Sequence, residues 1–572
     1  MSDGRLPTRR RWAGWTIAVV AVVIVFAVSW VVVRGFGAFS ELQNLRHSAA
    51  QLRSAIDERA YERAERIAPR IADHAALAHD LTSDPIWRGF EFIPWLGQNL
   101  TAVREVAEIA DDVADDAVAP IVALAPDVDL ATLGFAGSRI DLTTLPTIAE
   151  PLADAASALA GANARARLID AEVSLPPIAD AVREAKALLR DAASNVGALH
   201  DASLLLPGML GGSEPRTYLI AVQNNAELRS QGGAIAALVL VSADDGAISI
   251  DRAMTGHDLP SLKDPAPTDD AVVALFGDAP GRVARDLTSI PEFSLAGEHL
   301  AQRWQDAFGG KVDGVVAVDI ETMRRILAAT GGVTFDGFSA TDRSLVSILT
   351  AEVPATAADP RAQDAAFAHA ATAVLTAALS SQEPAAVLAA LSGAATDDRI
   401  RVWSARPEEQ ELLAASSLAG APPTDGESAS DIGVLFNDRT GAPLGAYADA
   451  TISTAIGTCE GAPTTQVRVT WTSEVPEGIA AAAPAPADGA PGDIRTLIAV
   501  YGPDGSTVRG GATTAMLGAR PVVQQDVTVS PGESTTVTAT FTGGGAGERV
   551  ARVHHTPLLA SPDVVRADVD CG

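Results

Sequence analysis

The run from Tyr218 to Gly233, YLIAVQNNAELRSQGG, is the most distinctive stretch of the chain. A short apolar lead enters Gln223, Asn224 and Asn225, passes Glu227 and Arg229, and ends at Gly232 and Gly233 before a second apolar run. Asn and Gly tolerate the left-handed backbone of tight loops, and paired glycines let a ligand approach the main chain. An Arg beside amide side chains is suited to gripping an oxyanion or phosphate, because its planar fork meets two oxygens at once. The competing structural reading is a loop whose Glu227 and Arg229 simply pair with each other. On the chemistry of these side chains, Asn224, Asn225, Glu227, Arg229, Gly232 and Gly233 are candidate ligand-binding residues.

Other constellations carry less. Gly457 to Gly461, GTCEG, has the outline of a nucleophile elbow, with His554 and His555 downstream. An elbow needs a strand feeding a helix, whereas Pro463 and strand-like sequence follow here. The chain has two cysteines, Cys459 and Cys571, both late, and in an exported protein such a pair reads as a disulfide. Closing a loop of that size contributes about 4–5 kcal/mol on the entropic account. Asp111, Asp112, Asp115 and Asp116 recur at four-residue spacing on a helical run and read as a solvated acidic face. There is no P-loop and no HExxH helix, and no metal ligands are assigned.

The elements that must position these residues begin with an anchor. Arg5, Arg9, Arg10 and Arg11 precede an apolar run from Trp12 to Val33, which Arg34 closes. A helix of that length rises about 30 Å, enough to cross the hydrocarbon of a bilayer. Trp12, Trp15 and Trp30 lie near its two ends, where amphipathic rings rest among headgroups. The arginine excess places the N-terminus in the cytoplasm, and the run is too long for a usual signal-peptide core. The expected topology is single-pass in the plasma membrane, with the C-terminal bulk extracytoplasmic.

Beyond the anchor, Leu42, Leu45, Ala49, Leu52 and Ile56 recur at helical spacing, as do Val103, Val106, Ala110, Val113 and Ala117. Between them lie Trp87, Phe90, Phe92, Ile93, Pro94 and Trp95, read as the filler of an elbow between packed helices, with a place on the membrane surface as the alternative. From Pro207–Gly208 the texture changes. TYLIAV, AIAALVLVS and GVVAV are strand-like, and Asp319 is a plausible N-cap for a helix that Gly331–Gly332 stops. After about Asp431, alternation such as Val467, Val469 and Trp471 predicts a small antiparallel sandwich. The fold class is thus multi-domain α+β. Its parts are a cytoplasmic tail (1–11), a transmembrane helix (12–33), an extracytoplasmic helical stalk or bundle (34–205), an α/β domain (206–430) and a β-sandwich-like domain (431–572). The 572-residue length supports several folded units, and a formal charge of −30 excludes nucleic acid as a partner by repulsion.

QNNAELRSQGG, VDGVVAVDIETMRRILAATGGV and EEQELLAASSLAG resemble blocks of domain-of-unknown-function family 4012, as does the upstream DPIWRGFEFIPWLGQNL. That resemblance implies a bacterial cell-envelope protein with an N-terminal signal anchor. The order of blocks is also similar, more distantly, to the LytR-CpsA-Psr family, which transfers glycopolymers from polyprenyl-pyrophosphate carriers to the wall. By that similarity DPRAQDAAFAHAATAVL makes Arg361 a candidate, and His257–Asp258 falls where the family carries an Arg-Asp pair. The early acidic and arginine residues of that family are replaced here around Gly232–Ile235, which weakens the enzymatic carry-over. The expectation is a binding protein for a lipid-linked or wall glycopolymer, without a cofactor. The alternatives are a polyprenyl-pyrophosphate-linked glycan phosphotransferase with a rearranged site, which would take magnesium, and a non-catalytic envelope scaffold.

Overall fold

The computed structural model describes residues 8–58, 60–124, 139–143, 145–170, 174–266, 268–422, 429–486, 489–510, 515–544 and 550–571. Residues 1–7 of the expected cytoplasmic tail lie outside the described residues. The chain forms two compact units, Met1–Leu130 with Leu142–Pro207, and Ala131–Asp141 with Gly208–Gly572.

The first unit is helical. Helix α1 (Thr8–Asp57) carries the apolar run, and Val22, Val25, Phe26 and Val33 project from it exposed. Exposed aliphatic side chains along several turns suit a lipid surrounding, and among the described residues α1 is the helix long and apolar enough to cross a membrane. It is the candidate for a single membrane span among the described residues. Helix α2 (Tyr61–Thr82) returns along it, followed by α3 (Pro85–Phe90) and α4 (Leu96–Val113). A π-helical turn (Ala114–Val118) leads into α5 (Ala119–Leu124). Helices α6 (Leu145–Leu168) and α7 (Pro176–Met209) complete the unit. Pro176 opens α7, where a missing N–H costs nothing. The seam between α1 and α2 is small: Ala55, Ala64, Ala68 and Ala75 are buried with Ile67 and Ile71, which lets the backbones approach closely. The alanine-rich composition serves that packing.

In the second unit β1 (Arg216–Arg229), β2 (Gly232–Asp244), β3 (Ala247–Thr255), β4 (Gly314–Asp319) and, after a small hairpin of β5 (Val333–Phe335) and β6 (Phe338–Ala340), β7 (Arg401–Ser404) form the central structure. The five-stranded sheet has the order β3-β2-β1-β4-β7, with β1 and β4 parallel and the other pairs antiparallel. Both faces are covered. Tyr218 and Val222 pack on one side against Met323, Phe367 and Val374 of the helices Ile320–Thr330 and Pro360–Leu379. Leu219, Ala221 and Leu238 pack on the other against Leu300 and Trp304 of the helix Phe293–Phe308. Two buried faces explain why TYLIAV and AIAALVLV are continuous apolar runs rather than alternating ones.

The remaining strands are β8 (Ala429–Asp438), β9 (Ala448–Cys459), β10 (Ala462–Ser473), β11 (Ile494–Tyr501), β12 (Ser506–Val508), β13 (Ala515–Leu517), β14 (Arg520–Val529), β15 (Ser534–Gly543), β16 (Val550–His555) and β17 (Asp563–Arg566). They make two five-stranded sheets, β12-β15-β10-β9-β17 and β13-β14-β11-β8-β16. Phe436 of β8 stacks on Trp471 of β10 at 4.7 Å in a cluster that draws on both sheets. The expectation of purely antiparallel pairing is corrected at two edges, where β16 joins β8 and β17 joins β9 in parallel. Both are late strands reaching an open edge by a long connection, which parallel pairing requires. Cys459 at the end of β9 is bonded to Cys571, with Cα atoms 5.4 Å apart.

Candidate functional site

The QNNAELRSQGG stretch is strand rather than the loop expected from its amides and glycines. Strand β1 continues to Arg229 with register shifts between Val222 and Gln223 and between Asn224 and Leu228. A bulged strand absorbs the extra residues that a sequence reader assigns to a turn. Gly232 has φ +133, and a Cβ there would lie 2.2 Å from Gln223 Oε1; a Cβ on Gly233 would lie 2.1 Å from the Asn224 carbonyl oxygen. The glycine pair therefore lets the two strands close on each other, and no ligand is needed to account for it.

Asn225 is also structural. Its Nδ2 donates to Asp319 Oδ2 at 3.1 Å and to the Pro557 carbonyl at 2.8 Å, and its Oδ1 accepts from the Ile320 N–H. Asp319 caps the helix Ile320–Thr330 through Thr322 and accepts Arg399 Nη1 at 2.6 Å, while Arg399 Nη2 donates to the Leu558 carbonyl. At the hairpin tip, the Ser230 N–H donates to Asn437 Oδ1 at 3.0 Å, and Gln231 Nε2 donates to the Gly420 carbonyl at 3.1 Å. Asn224 Oδ1 accepts from the Ala226 N–H, and its Nδ2 donates to Glu227. Buried amides are expensive unless paired, and these are paired within the chain.

Arg229 does not pair with Glu227. It grips Asp286 through Nε at 2.9 Å and Nη2 at 2.6 Å and donates from Nη1 to the Leu228 carbonyl. Burial would lower the guanidinium, but Asp286, Asp438 and Glu227 outweigh it and hold it above its ordinary value. Burial pushes the neighbouring Asp438 carboxyl up to about 6, against the Arg229 charge.

A second cluster forms where β3 ends. Thr255 and Asp258 make a reciprocal cap around the turn Gly256–Asp258: Asp258 Oδ2 accepts from the Thr255 N–H and hydroxyl, each at 2.9 Å. His257 and Asp258 then face the first turn of the helix Pro360–Leu379. Arg361 donates to Asp258, and one turn on Asp364 meets His257 Nδ1 at 2.7 Å. Arg285 closes the cluster, reaching Asp364 at 3.2 Å, Glu227 at 3.1 Å and the Ile235 carbonyl at 3.4 Å. Four of the residues read from sequence thus meet here, namely Glu227, His257, Asp258 and Arg361, while Arg229 lies in its own pair and Asn225, Gly232 and Gly233 hold the backbone.

Asp364 and Arg285 were missed. Asp364 follows Arg361 by three positions on one helix, a spacing that places both on the same face and was visible in DPRAQD. Arg285 sits in an irregular segment whose neighbour Asp286 serves the other pair, so no periodicity marks it.

Asp364 is only 3 % exposed in its side chain. Burial pushes its carboxyl up to about 8; Arg285 opposes this, and Glu227 and Asp258 add to it. Burial, together with the Arg285 and Arg361 charges, holds His257 below its ordinary value against the pull of Glu227 and Asp258. For Asp258 burial alone would raise the carboxyl, yet the bonds from Arg361 and Thr255 hold it below the usual range. Burial thus disfavours the charged form of both members of the His257–Asp364 pair. The remaining charges cancel, with Arg285 and Arg361 against Glu227 and Asp258. Arg361, with 61 % of its side chain exposed, and the partly exposed His257 are the members that an incoming molecule would meet. Among the described residues no group of three or more His, Cys, Asp or Glu is disposed to hold a metal ion.

Comparison with known proteins bears on part of this chain. No curated protein matches it. Among solved structures, the transcriptional regulator yvhJ of Bacillus subtilis matches at 11 % identity over 38 % of this chain and 84 % of that one, with a TM-score of 0.22, too low to establish a shared fold. Residues 213–353, which hold β1 to β4 with Glu227, Arg229, His257, Asp258 and Arg285, match the family described as a protein of unknown function (DUF4012).

Proposed function

We propose that this is a membrane-anchored cell-envelope protein whose central domain, LytR-CpsA-Psr-like in layout, binds a lipid-linked or wall glycopolymer outside the cytoplasmic membrane. The two C-terminal sheets act as a sandwich that braces this domain. One observation carries the reading: two adjacent donor–acceptor pairs, Arg361–Asp258 and His257–Asp364, lie side by side at the end of β3. Carboxylates accept from hydroxyls, while guanidinium and imidazole N–H groups donate to ring, hydroxyl and phosphate oxygens. A charge-balanced set of this kind suits a polyhydroxylated chain, whereas a compact pyrophosphate would call for surplus positive charge.

The test is calorimetric titration of full-length protein in nanodiscs with wall-glycan fragments and with polyprenyl-pyrophosphate-linked glycan. Arg361→Ala or His257→Ala is expected to weaken glycan binding at least about tenfold, which corresponds to about 1.4 kcal/mol. Equal affinity in the variants, or no binding by the parent protein, overturns the reading. Release of polyprenyl phosphate during the titration would establish the transferase alternative instead.

A further inference from the structure

The side chains of the apolar elbow between α3 and α4 are exposed among the described residues, and the position of the elbow relative to α1 is set by named contacts. Helices α1 and α2 run antiparallel: Glu41 meets His74 at 2.7 Å, and Arg34 donates from Nε to the Leu81 carbonyl at 2.9 Å. From Arg34 to Asp57 helix α1 rises roughly 35 Å away from the end of the apolar run, and the 22 residues of α2 bring the chain back by roughly 33 Å. The return ends where the span ends.

That end is fastened. Arg34 also donates to the Asp80 carbonyl and pairs with Asp84 at 3.1 Å, and Asp84 caps α3 through the N–H groups of Ile86 and Trp87. Trp87 is buried: a Cβ on Gly35 would lie 3.7 Å from its ring, and its Nε1 donates to the Leu100 carbonyl at 3.2 Å. So α3 lies against α1 one or two residues beyond Val33, and Phe92-Ile93-Pro94-Trp95 follows immediately, exposed throughout. Phe92 is 89 % and Trp95 68 % exposed. Trp95 has φ +71, a left-handed backbone that a bulky residue adopts only under constraint, here in the turn that opens α4. Trp30, Phe36 and Phe39, within about 8 Å of Arg34 along α1, are exposed, and so is Arg88 of α3.

We infer that the elbow Phe92–Trp95 inserts into the bilayer surface, at the boundary between headgroups and acyl chains, as a second, non-spanning membrane contact beside α1. Continuity with the span identifies the occupant. Aromatic rings favour that boundary, and Arg88 meets lipid phosphates there. The elbow thereby fixes the tilt of the α1–α2 hairpin, which one span alone leaves free to swivel. This inference rests on α1 as the span and is independent of what the second unit binds.

Full-length protein carrying a nitroxide at Phe92→Cys, reconstituted in phosphatidylcholine/phosphatidylglycerol vesicles, tests it. Cys459 and Cys571 are bonded to each other and leave the new thiol as the labelling site. The label is expected to be more accessible to oxygen than to a water-soluble nickel complex, at a depth of about 5–10 Å. A label at Glu62→Cys, at the far end of the hairpin, should show the reverse. Ile93→Cys repeats the measurement should the first variant fold poorly. Labels at 92 and 93 that behave like the one at 62 overturn the inference, as does strong spin–spin broadening at 92, which would put a second copy on the patch.

Discussion

In His257 and Asp364, a hydrogen-bonded pair, burial works against the charged form of both side chains. A carboxyl raised in the folded protein contributes stability that is full below its ordinary value and is lost as pH rises toward about 8. Asp364→Asn keeps the shape and cannot ionise, so relative to the parent it should gain stability as pH is raised from 6.5 to 9. Denaturant midpoints at several pH values measure this, and parallel curves for the two proteins would refute it. The lowered His257 acts in the opposite sense, adding stability above its ordinary value that is lost as pH falls through the lowered one, so the comparison belongs on the alkaline side.

At the scale of elements, the β1–β2 hairpin is held by what its glycines lack. Gly233→Ala drives a Cβ to within 2.1 Å of backbone and should destabilise the second unit by about 3 kcal/mol, read from thermal unfolding. Gly393→Ala, in the helix Pro384–Thr396 with a single side-chain atom 3.6 Å away, should be neutral or stabilise by about 0.5–1 kcal/mol. The contrast also explains what sequence could and could not show. The apolar runs, the cap at Asp319 and the glycine stop at 331 are local signals and were legible. The bulges in β1 were not, because QNN followed by paired glycine has the composition of a turn, and only pairing with β2, β4 and the residues near Pro557 makes it strand. The site was partly legible for the same reason: Arg361 and His257 lie in recognisable blocks, whereas Arg285 enters the cluster from an irregular segment.

On the scale of the molecule, closure of the C-terminal sheets depends on the end of the chain. Cys459 and Cys571 close a loop with a sequence separation of 112, and β17, within that loop, pairs with the edge of β9. Cys571→Ser, or reduction of the parent, is expected to cost about 4–5 kcal/mol and to make the segment after β16 sensitive to limited proteolysis. An unchanged digestion pattern would show that β17 is held by its ladder alone.

The buried amide of Asn225 reaches forward to Pro557, and the Ser230 hydroxyl and main chain meet Asn437 and Thr556. Family resemblance marks off 213–353 as though it were a module, but these partners lie well past its end. A fragment cut at that border would leave the buried Ser230 N–H and Asn225 amide short of their partners and is expected not to stay folded. The residues that close this corner are supplied from beyond the matched segment, and the shortest piece worth expressing runs on to the last strands.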